Sequence, residues 1–577
     1  MFKKNTKHQQ SALISAASEL PEKQRSRLKS SWAGTFYQEI FSRIDEEAFA
    51  VLYSEEASRP NIPVNVLVGL EVLKAGHGWS DQELYENYCY NLQVRYALGY
   101  DRLGDGDFEI RTLYYFRERL SQYNAEKGVN LLEKAFEQIT DAQITALEVR
   151  TGMQRMDSTQ IASNIVSASR LQLLVESLQR VERILSEVDK TRLANTFAPY
   201  TRDSAGHYTY RVKGKEAVQE HLQSIGQSMH RLLQELRTAY GQESAYQVME
   251  RLFTENFSLV ENNSRPKENN EIISACLPSV DDLSASYRTK GKEHYKGYVA
   301  NITETCDPEN ELPLITKIQV APNHVDDTHL MAEALPDWKE RTQLETLYTD
   351  GGYGSPDADQ TLQDNQVEQI QTAIRGRIPS SEKLNLSDFE IKQSEMGQPT
   401  QITCPQGQTA TVHPSSQKKA FVAHFEEEAC RNRPFLQKCP VRQGKRDAHW
   451  HLRFSQKQVN SSQRRRSLIH QKEGRNLRAA VKATVRQVKH PFPASKLPVR
   501  GRFRITCLLI GSALMSNVRR IQCYLESKIM LENEQRMTQK EQEGSQKQPL
   551  VSFFVFLYAI FCVWMAPKTL EQVEFGY

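Results

Sequence analysis

The sequence is short of three things: net charge, apolar length and, over one stretch, acid. The formal net charge is only +3 over 577 residues, so affinity for any polyanion has to come from where the charge sits. The start, MFKKNTKHQQ, leads into polar sequence with no apolar h-region. No secretory signal is therefore expected, and the cytoplasm is the expected compartment. One continuous apolar run, residues 550–565 (LVSFFVFLYAIFCVWM), follows a charged, Gln-rich linker at 526–548 but is shorter than the roughly 20 residues of a spanning helix. A short tail anchor and a docking helix are the other readings of it; no stable membrane association is expected. The nine cysteines are an odd number spread along the chain, which argues against a secreted disulfide framework and for reduced thiols or metal ligands. Between Glu473 and Glu526 there is no Asp or Glu at all.

What fills that acid-free stretch is base. Residues 442–504 contain Arg464, Arg465 and Arg466 in a row and many further Lys and Arg, whereas acids slightly outnumber bases in the N-terminal quarter. Within 476–490 (NLRAAVKATVRQVKH), Leu477, Ala480, Val481, Thr484, Val485 and Val488 recur with the period of one buried helical face. Arg478, Lys482, Arg486 and Lys489 recur on another face with no acid to relieve their repulsion. Such a face is expected to lie against a polyanion, nucleic acid first; a merely solvated basic face is the alternative. A basic loop at 495–504 (Lys496, Arg500, Arg502, Arg504) and an apolar helix at 504–525 follow.

The length suggests roughly three or four domains. Residues 11–125 read as helices: one amphipathic run at 36–52, another at 64–75, and a helix opened by the capping box Ser80-x-x-Glu83. They suit a small helical DNA-binding module or a packing and dimerising domain equally. The texture changes at Gly152, where GMQRMDSTQIAS reads as a strand delivering Asp157 to a fixed point. Helices return over 165–270. Then 285–305 alternates around a turn, 312–321 is a second β-rich run, and 345–356 (ETLYTDGGYGSP) ends an apolar lead in Asp350 and two glycines suited to a sharp turn beside a ligand. Asp157 and Asp350 together would suit the hard oxygen ligation of Mg²⁺; two unrelated loop acids are the plainer reading. Cys404, Cys430 and Cys439 suggest an interrupted zinc ribbon, with Arg433 where a C-x2-C pair needs its second thiol and His413 or His424 left to complete the tetrahedron.

Taken in order, MDST at Asp157, GYVANITETCD at 297–307, YTDGGYGSP at Asp350, the CPQG and CP cysteine insert, and RAAVKATVRQVKHPF at 478–492 resemble the transposases of bacterial insertion sequences in the DDE superfamily, over residues of roughly 60 to 525. The resemblance implies an α/β fold: an RNase H-like mixed sheet with flanking helices, preceded by an all-helical N-terminal domain and interrupted by helical and cysteine-containing inserts. The corresponding expected boundaries are 1–135 for the helical DNA-binding or dimerisation domain, 150–525 for the catalytic core with inserts at about 165–275 and 395–455, and 526–577 for linker and tail. It also implies DNA partners (insertion-sequence ends and target DNA), a homodimer on DNA and a place in the bacterial nucleoid. Arg464, Arg465, Arg466, Arg478, Arg486, Lys489, Arg500 and Arg502 are the expected DNA contacts.

In that family three carboxylates hold two Mg²⁺ (or Mn²⁺) ions, one activating water and then a 3′-hydroxyl, the other stabilising the leaving oxygen. Asp157 and Asp350 match the first two acids. The third belongs to R-x3-E-x6-K, which Arg478 and Lys489 fit, but the Glu position is Lys482. An ammonium cannot ligate a cation while charged. Glu473, nine residues away, would lie roughly 14 Å along a helix and on its opposite face. With Arg433 at a cysteine position as well, the resemblance implies a decayed, catalytically crippled copy. A non-catalytic DNA-binding protein that occupies transposon ends and inhibits active copies is the other reading.

Overall fold

The computed structural model describes residues 1–543, apart from 10–16, 57–59, 101, 103, 166–167, 202–211, 213, 262, 374–381, 395–396, 416–419, 432–435, 445–448, 472–475 and 494–495. Seven α-helices open the described chain: α1 (Glu22–Lys29), α2 (Trp32–Glu39), α3 (Val64–His77), α4 (Asp81–Tyr90), α5 (Leu92–Ala97), α6 (Arg111–Lys127) and α7 (Leu131–Ala146). The expected helix over 36–52 is instead broken at Ile40 (φ −120°, ψ −67°) into α2 and two 3₁₀ turns, Phe41–Arg43 and Glu47–Leu52. The break lets Phe36, Phe41 and Phe49, which no single helical stripe aligns, all reach the core with no exposed surface. It also turns the buried Glu46 onto the start of α3, where its carboxylate accepts from the backbone N–H groups of Val64 (3.0 Å) and Asn65 (3.3 Å). Pro63 offers no side-chain cap there, so Glu46 satisfies the helix end. The Ser80–Glu83 capping box on α4 is formed in both directions.

β1 (Met153–Ile161) begins the central sheet. A helical insert follows, α8 (Arg170–Ile184), α9 (Glu187–Phe197), α10 (Lys215–Tyr240) and α11 (Ser244–Asn256), ending in the hairpin β2 (Phe257–Val260) and β3 (Asn263–Pro266). It packs around its own apolar cluster, including Leu174, Leu178, Ile225, Met229 and Leu252. The sheet resumes with β4 (Ser286–Lys290), β5 (Glu293–Thr305), β6 (Ile315–Pro322), β7 (Thr346–Thr349) and β8 (Glu368–Gln371), with α12 (Asp327–Thr342) joining β6 to β7 and α13 (Pro356–Asp364) joining β7 to β8. Its order is β4-β5-β1-β7-β8, with β6 also on β5. β5 runs antiparallel to β1 and β6, whereas β1, β7 and β8 are mutually parallel. Three antiparallel strands followed by parallel ones on the far side of β1 make the RNase H-like mixed sheet.

A second sheet, β9 (Glu390–Gln393), β10 (Pro399–Thr403), β11 (Thr409–Pro414), β12 (Ala420–Phe425), β13 (Arg442–Gln443) and β14 (Trp450–Ser455), carries the short α14 (Glu427–Arg431) and is ordered β13-β14-β12-β11-β10-β9. The chain then runs through α15 (Gln456–Gln471), a 3₁₀ turn at Leu477–Ala480, α16 (Val481–Lys489) and α17 (Arg502–Glu543). The expected helix over 476–490 thus starts as a tighter 3₁₀ turn. Val481, Thr484 and Val488 are buried as the pattern predicts, but Ala480 is exposed and Leu477 half-buried, because three residues per turn shifts the inward face toward Arg478.

By contacts the chain forms one compact unit over Met1–Gln522 and a second over Cys523–Tyr577. The expected boundary near 135–150 falls inside the first, where α7 packs on β6. In the second unit the expected linker is helical as far as Glu543, and the apolar run 550–565 lies outside the described residues. Among the described residues no helix is long and apolar enough to cross a membrane.

Candidate active site

Parallel pairing of β1 with β7 sets Arg155 against Tyr348, and two residues further along that register Asp157 comes level with Asp350, just beyond the end of β7. β1 is held on its other edge by β5, with Asp157 opposite Ile302. Asp350 caps the 3₁₀ turn Gly351–Tyr353, accepting from the Gly352 N–H at 2.8 Å. Neither glycine of that turn has a positive φ. Gly352 is needed for room: a Cβ there would come within 2.9 Å of Asp350 Oδ1. The two carboxylates expected from the sequence are thus brought to one place.

The group lying between them is Arg478. Its Nη2 donates to Asp157 Oδ1 at 2.6 Å and to Asp350 Oδ2 at 3.3 Å, and its Nε is buried with no hydrogen-bond partner among the described residues. Burial pushes the Asp157 carboxyl above its usual range, and the guanidinium pulls it back. Arg478 is held there by its neighbours. Arg155 donates from Nη1 to the Leu477 carbonyl (2.7 Å) and from Nε to Glu304 Oε1 (2.7 Å). The other oxygen of Glu304 accepts from Thr484 Oγ1 on α16 (2.5 Å) and Arg520 Nη1 on α17 (2.7 Å). One wholly buried carboxylate on β5 therefore fixes the turn carrying Arg478 to β1. Sequence reasoning missed Glu304; a Glu between two threonines at the end of a β-rich run, ITET, was its signal.

A second acid it missed is Asp327, the first residue of α12. It accepts from Ser158 Oγ at 3.0 Å, directly after Asp157 in β1, and pairs with Arg288 at 3.4 Å. Burial raises its carboxyl, and the Asp350 charge adds to that. Tyr353, fully buried, backs all three aspartates and donates its hydroxyl to Asn301 Oδ1 (3.0 Å). The signal for Asp327 was an acid opening a helix immediately after a strand of the sheet.

The expected DNA contacts divide. Arg464 makes an ion pair with Asp359 (2.6 Å), Arg466 donates to the Ser387 carbonyl (2.9 Å), and Arg500 donates to the Asn164 carbonyl (2.6 Å) and pairs with Asp281 (3.1 Å). Lys489 donates to Thr159 Oγ1 (3.2 Å) and the Gln160 carbonyl (3.1 Å) at the far end of β1, and burial lowers its pKa. Arg465 is half-buried. Arg486, Arg502 and Lys482 are exposed. Basic residues that look alike in sequence are thus partly internal struts, because acids and carbonyls distant in the chain fold onto them.

Cys404, Cys430 and Cys439 are buried in one apolar cluster with Ile402, Ala423, Phe425 and Val441, beneath the second sheet. His413 and His424 are on its exposed side, because each alternates with a buried residue along its strand (Val412; Ala423 and Phe425). Neither completes a tetrahedron with the thiols as expected, and Arg433 lies outside the described residues.

Family resemblance implies a divalent cation on Asp157, Asp350 and a third acid. The side chains present do not fit it. Arg478 already takes one oxygen of each aspartate, and Lys482, which the resemblance sets at the third position, is an exposed ammonium and not an acid. Glu473 lies outside the described residues, and Asp327 is engaged by Ser158 and Arg288. Among the described residues no group of three or more His, Cys, Asp or Glu is placed to hold a metal ion. What the arrangement offers chemically is a carboxylate pair bridged by a single guanidinium, next to a basic helix.

Two family models match the chain: a transposase domain (DUF772) over residues 25–119, the α1–α6 region, and a transposase DDE domain over residues 403–522, from the second sheet through α16 into α17. Neither the curated proteins nor the solved structures yield a match. A helical transposase domain ahead of an RNase H-like sheet, and a DDE-domain match that takes in the Arg478 turn set against Asp157 and Asp350, support a DDE-superfamily transposase of the insertion-sequence type.

Proposed function

We propose that this chain binds the terminal inverted repeats of an insertion sequence, as a homodimer on DNA in the bacterial cytoplasm, and that it no longer carries out the Mg²⁺- or Mn²⁺-dependent strand cleavage and transfer for which its fold is built. The observation that carries this reading is the Arg478 guanidinium set across Asp157 and Asp350, with Lys482 four residues on where the family places its third acid. An added cation at that point opposes a metal ion instead of binding it. Arg486 on α16 and Arg502 at the start of α17 are exposed and open to DNA phosphate, so binding weakens as salt rises. An end-binding protein without cleavage activity would inhibit active copies by forming mixed oligomers, which is the second reading; the same Lys482 supports it.

A strand-transfer assay on transposon ends tests the proposal. The chain as it stands should bind ends and leave them uncut with Mg²⁺ or Mn²⁺, and Lys482→Glu should restore cutting. Robust cutting by the unaltered chain that disappears on Asp157→Ala would overturn the loss of activity but keep the site. Cutting that survives Asp157→Ala would overturn the site itself.

A further inference from the structure

We propose that the exposed face of the second sheet is a binding site for a borderline divalent transition-metal ion of the Zn²⁺ class, centred on His424 and separate from both the aspartate site and the cysteines. Strand register makes the site. His424 on β12 lies directly opposite His451 on β14, and His413 on β11 pairs with Val422, so it sits diagonally from His424 on the same face. His449, two residues before His451, joins them. The ring of His424 is 4.7 Å from that of His451, 6.0 Å from His413 and 6.2 Å from His449, centroid to centroid.

Those spacings are close to what a shared ion requires. With Zn–N bonds of about 2.0–2.1 Å, two imidazoles on one tetrahedral ion have ring centroids about 5 Å apart. His424 and His451 already stand at that separation. His413 and His449 each need to close by about 1 Å, within reach of side-chain rotation for exposed rings. The rings are inclined at 79°, 50° and 77° to His424, so they are not stacked on one another, which would bury the nitrogens' approach. In the positions shown the four do not yet converge on a point, so the ion would select that closure.

The chemistry favours imidazole-binding ions over Mg²⁺ or Ca²⁺, which prefer oxygen. Arg453, opposite Val422 on the same face, and Arg442, opposite His451, add positive charge. Arg442 is turned away, donating to the Cys439 carbonyl at 3.2 Å. Their charge weakens the pull on a dication, so the ion is held by the imidazole nitrogens. The thiols cannot share this ion, since Cys404, Cys430 and Cys439 are on the buried side of the sheet.

Zinc titration of the full chain, in competition with a chromophoric chelator, tests the site. Zn²⁺ uptake should weaken at least tenfold in His424→Ala and in His451→Ala, weaken less in His413→Ala or His449→Ala, and stay unchanged in Cys404→Ser. Co²⁺ bound in its place should show no thiolate-to-cobalt charge-transfer band. His413, His424 and His449 are exposed and His451 is half-buried, and an unchanged thermal transition would confirm that the variants stay folded. No uptake by the unaltered chain, uptake indifferent to the His424→Ala/His451→Ala double variant, or a thiolate band with Co²⁺ would each overturn the proposal.

Discussion

Arg155 and Asp157 leave β1 on the same face, two residues apart, and each enters a cluster of arginine and carboxylate. The clusters differ in balance. Around Glu304 two guanidiniums, Arg155 and Arg520, and the Thr484 hydroxyl serve one carboxylate that has no exposed surface. Around Asp157 and Asp350 one guanidinium serves two carboxylates, and Asp350 keeps 35% of its side chain exposed. The first is closed and saturated, as a buried charge must be to persist. The second is open and short of positive partners, which is how a site that handles a ligand differs from a strut. Lys482, exposed on α16, makes no ion pair with either aspartate among the described residues.

Breaking each cluster should show that difference. Glu304→Gln leaves two buried guanidiniums without their carboxylate and should cost about 3–5 kcal/mol, read as a lower urea midpoint at unchanged slope. Arg478→Gln should cost less, about 1–3 kcal/mol, because solvent reaches Asp350 and leaves only Asp157 buried without its partner. Asp157→Asn made in the Arg478→Gln background should be nearly free, and the double-mutant cycle would measure their coupling. If Arg478→Gln proved as costly as Glu304→Gln, the contrast between strut and site would fail.

A third place where arginine meets a titratable group sharpens the contrast by having the opposite sign of partner. His77 stacks on Trp79 (4.4 Å) with its Nε2 buried and unpartnered among the described residues, and burial together with the Arg519 charge lowers its pKa to about 4. The unfolded chain takes up this proton near the ordinary 6.5, before the folded one does, so stability should fall as pH drops from about 6.5 to about 4. After allowance for solvent screening the loss attributable to His77 should be about 1–2 kcal/mol, and His77→Gln should flatten that part of the profile. The smallest effect belongs to Lys482→Glu. On an exposed helix position it should change stability by no more than about 0.5 kcal/mol, so any recovery of strand cutting could not be put down to better folding.

Much of this was legible in the chain. The strand-borne Asp157, the Asp350 turn and the Arg478–Lys489 spacing were visible because local period and turn chemistry act over a few residues. The break at Ile40 was not, since it arises from placing Phe41 and Phe49 in one core. Nor could the sequence tell that Arg464, Arg466 and Arg500 are tied to other parts of the protein, because Asp359, Ser387 and Asp281 that claim them are distant along the chain. Glu304 and Asp327 escaped notice for the same reason.

The sequence by itself determined which residue types the chain carries, and with them the two aspartates and the Lys482 that the resemblance sets where a Glu is expected. Those are covalent facts that folding cannot alter. Only the tertiary structure decided what surrounds them. The 3₁₀ turn at Leu477–Ala480 and the Glu304 clamp bring Arg478, over three hundred residues after Asp157, onto the aspartate pair. That placement depends on long-range pairing and burial, which no local pattern encodes.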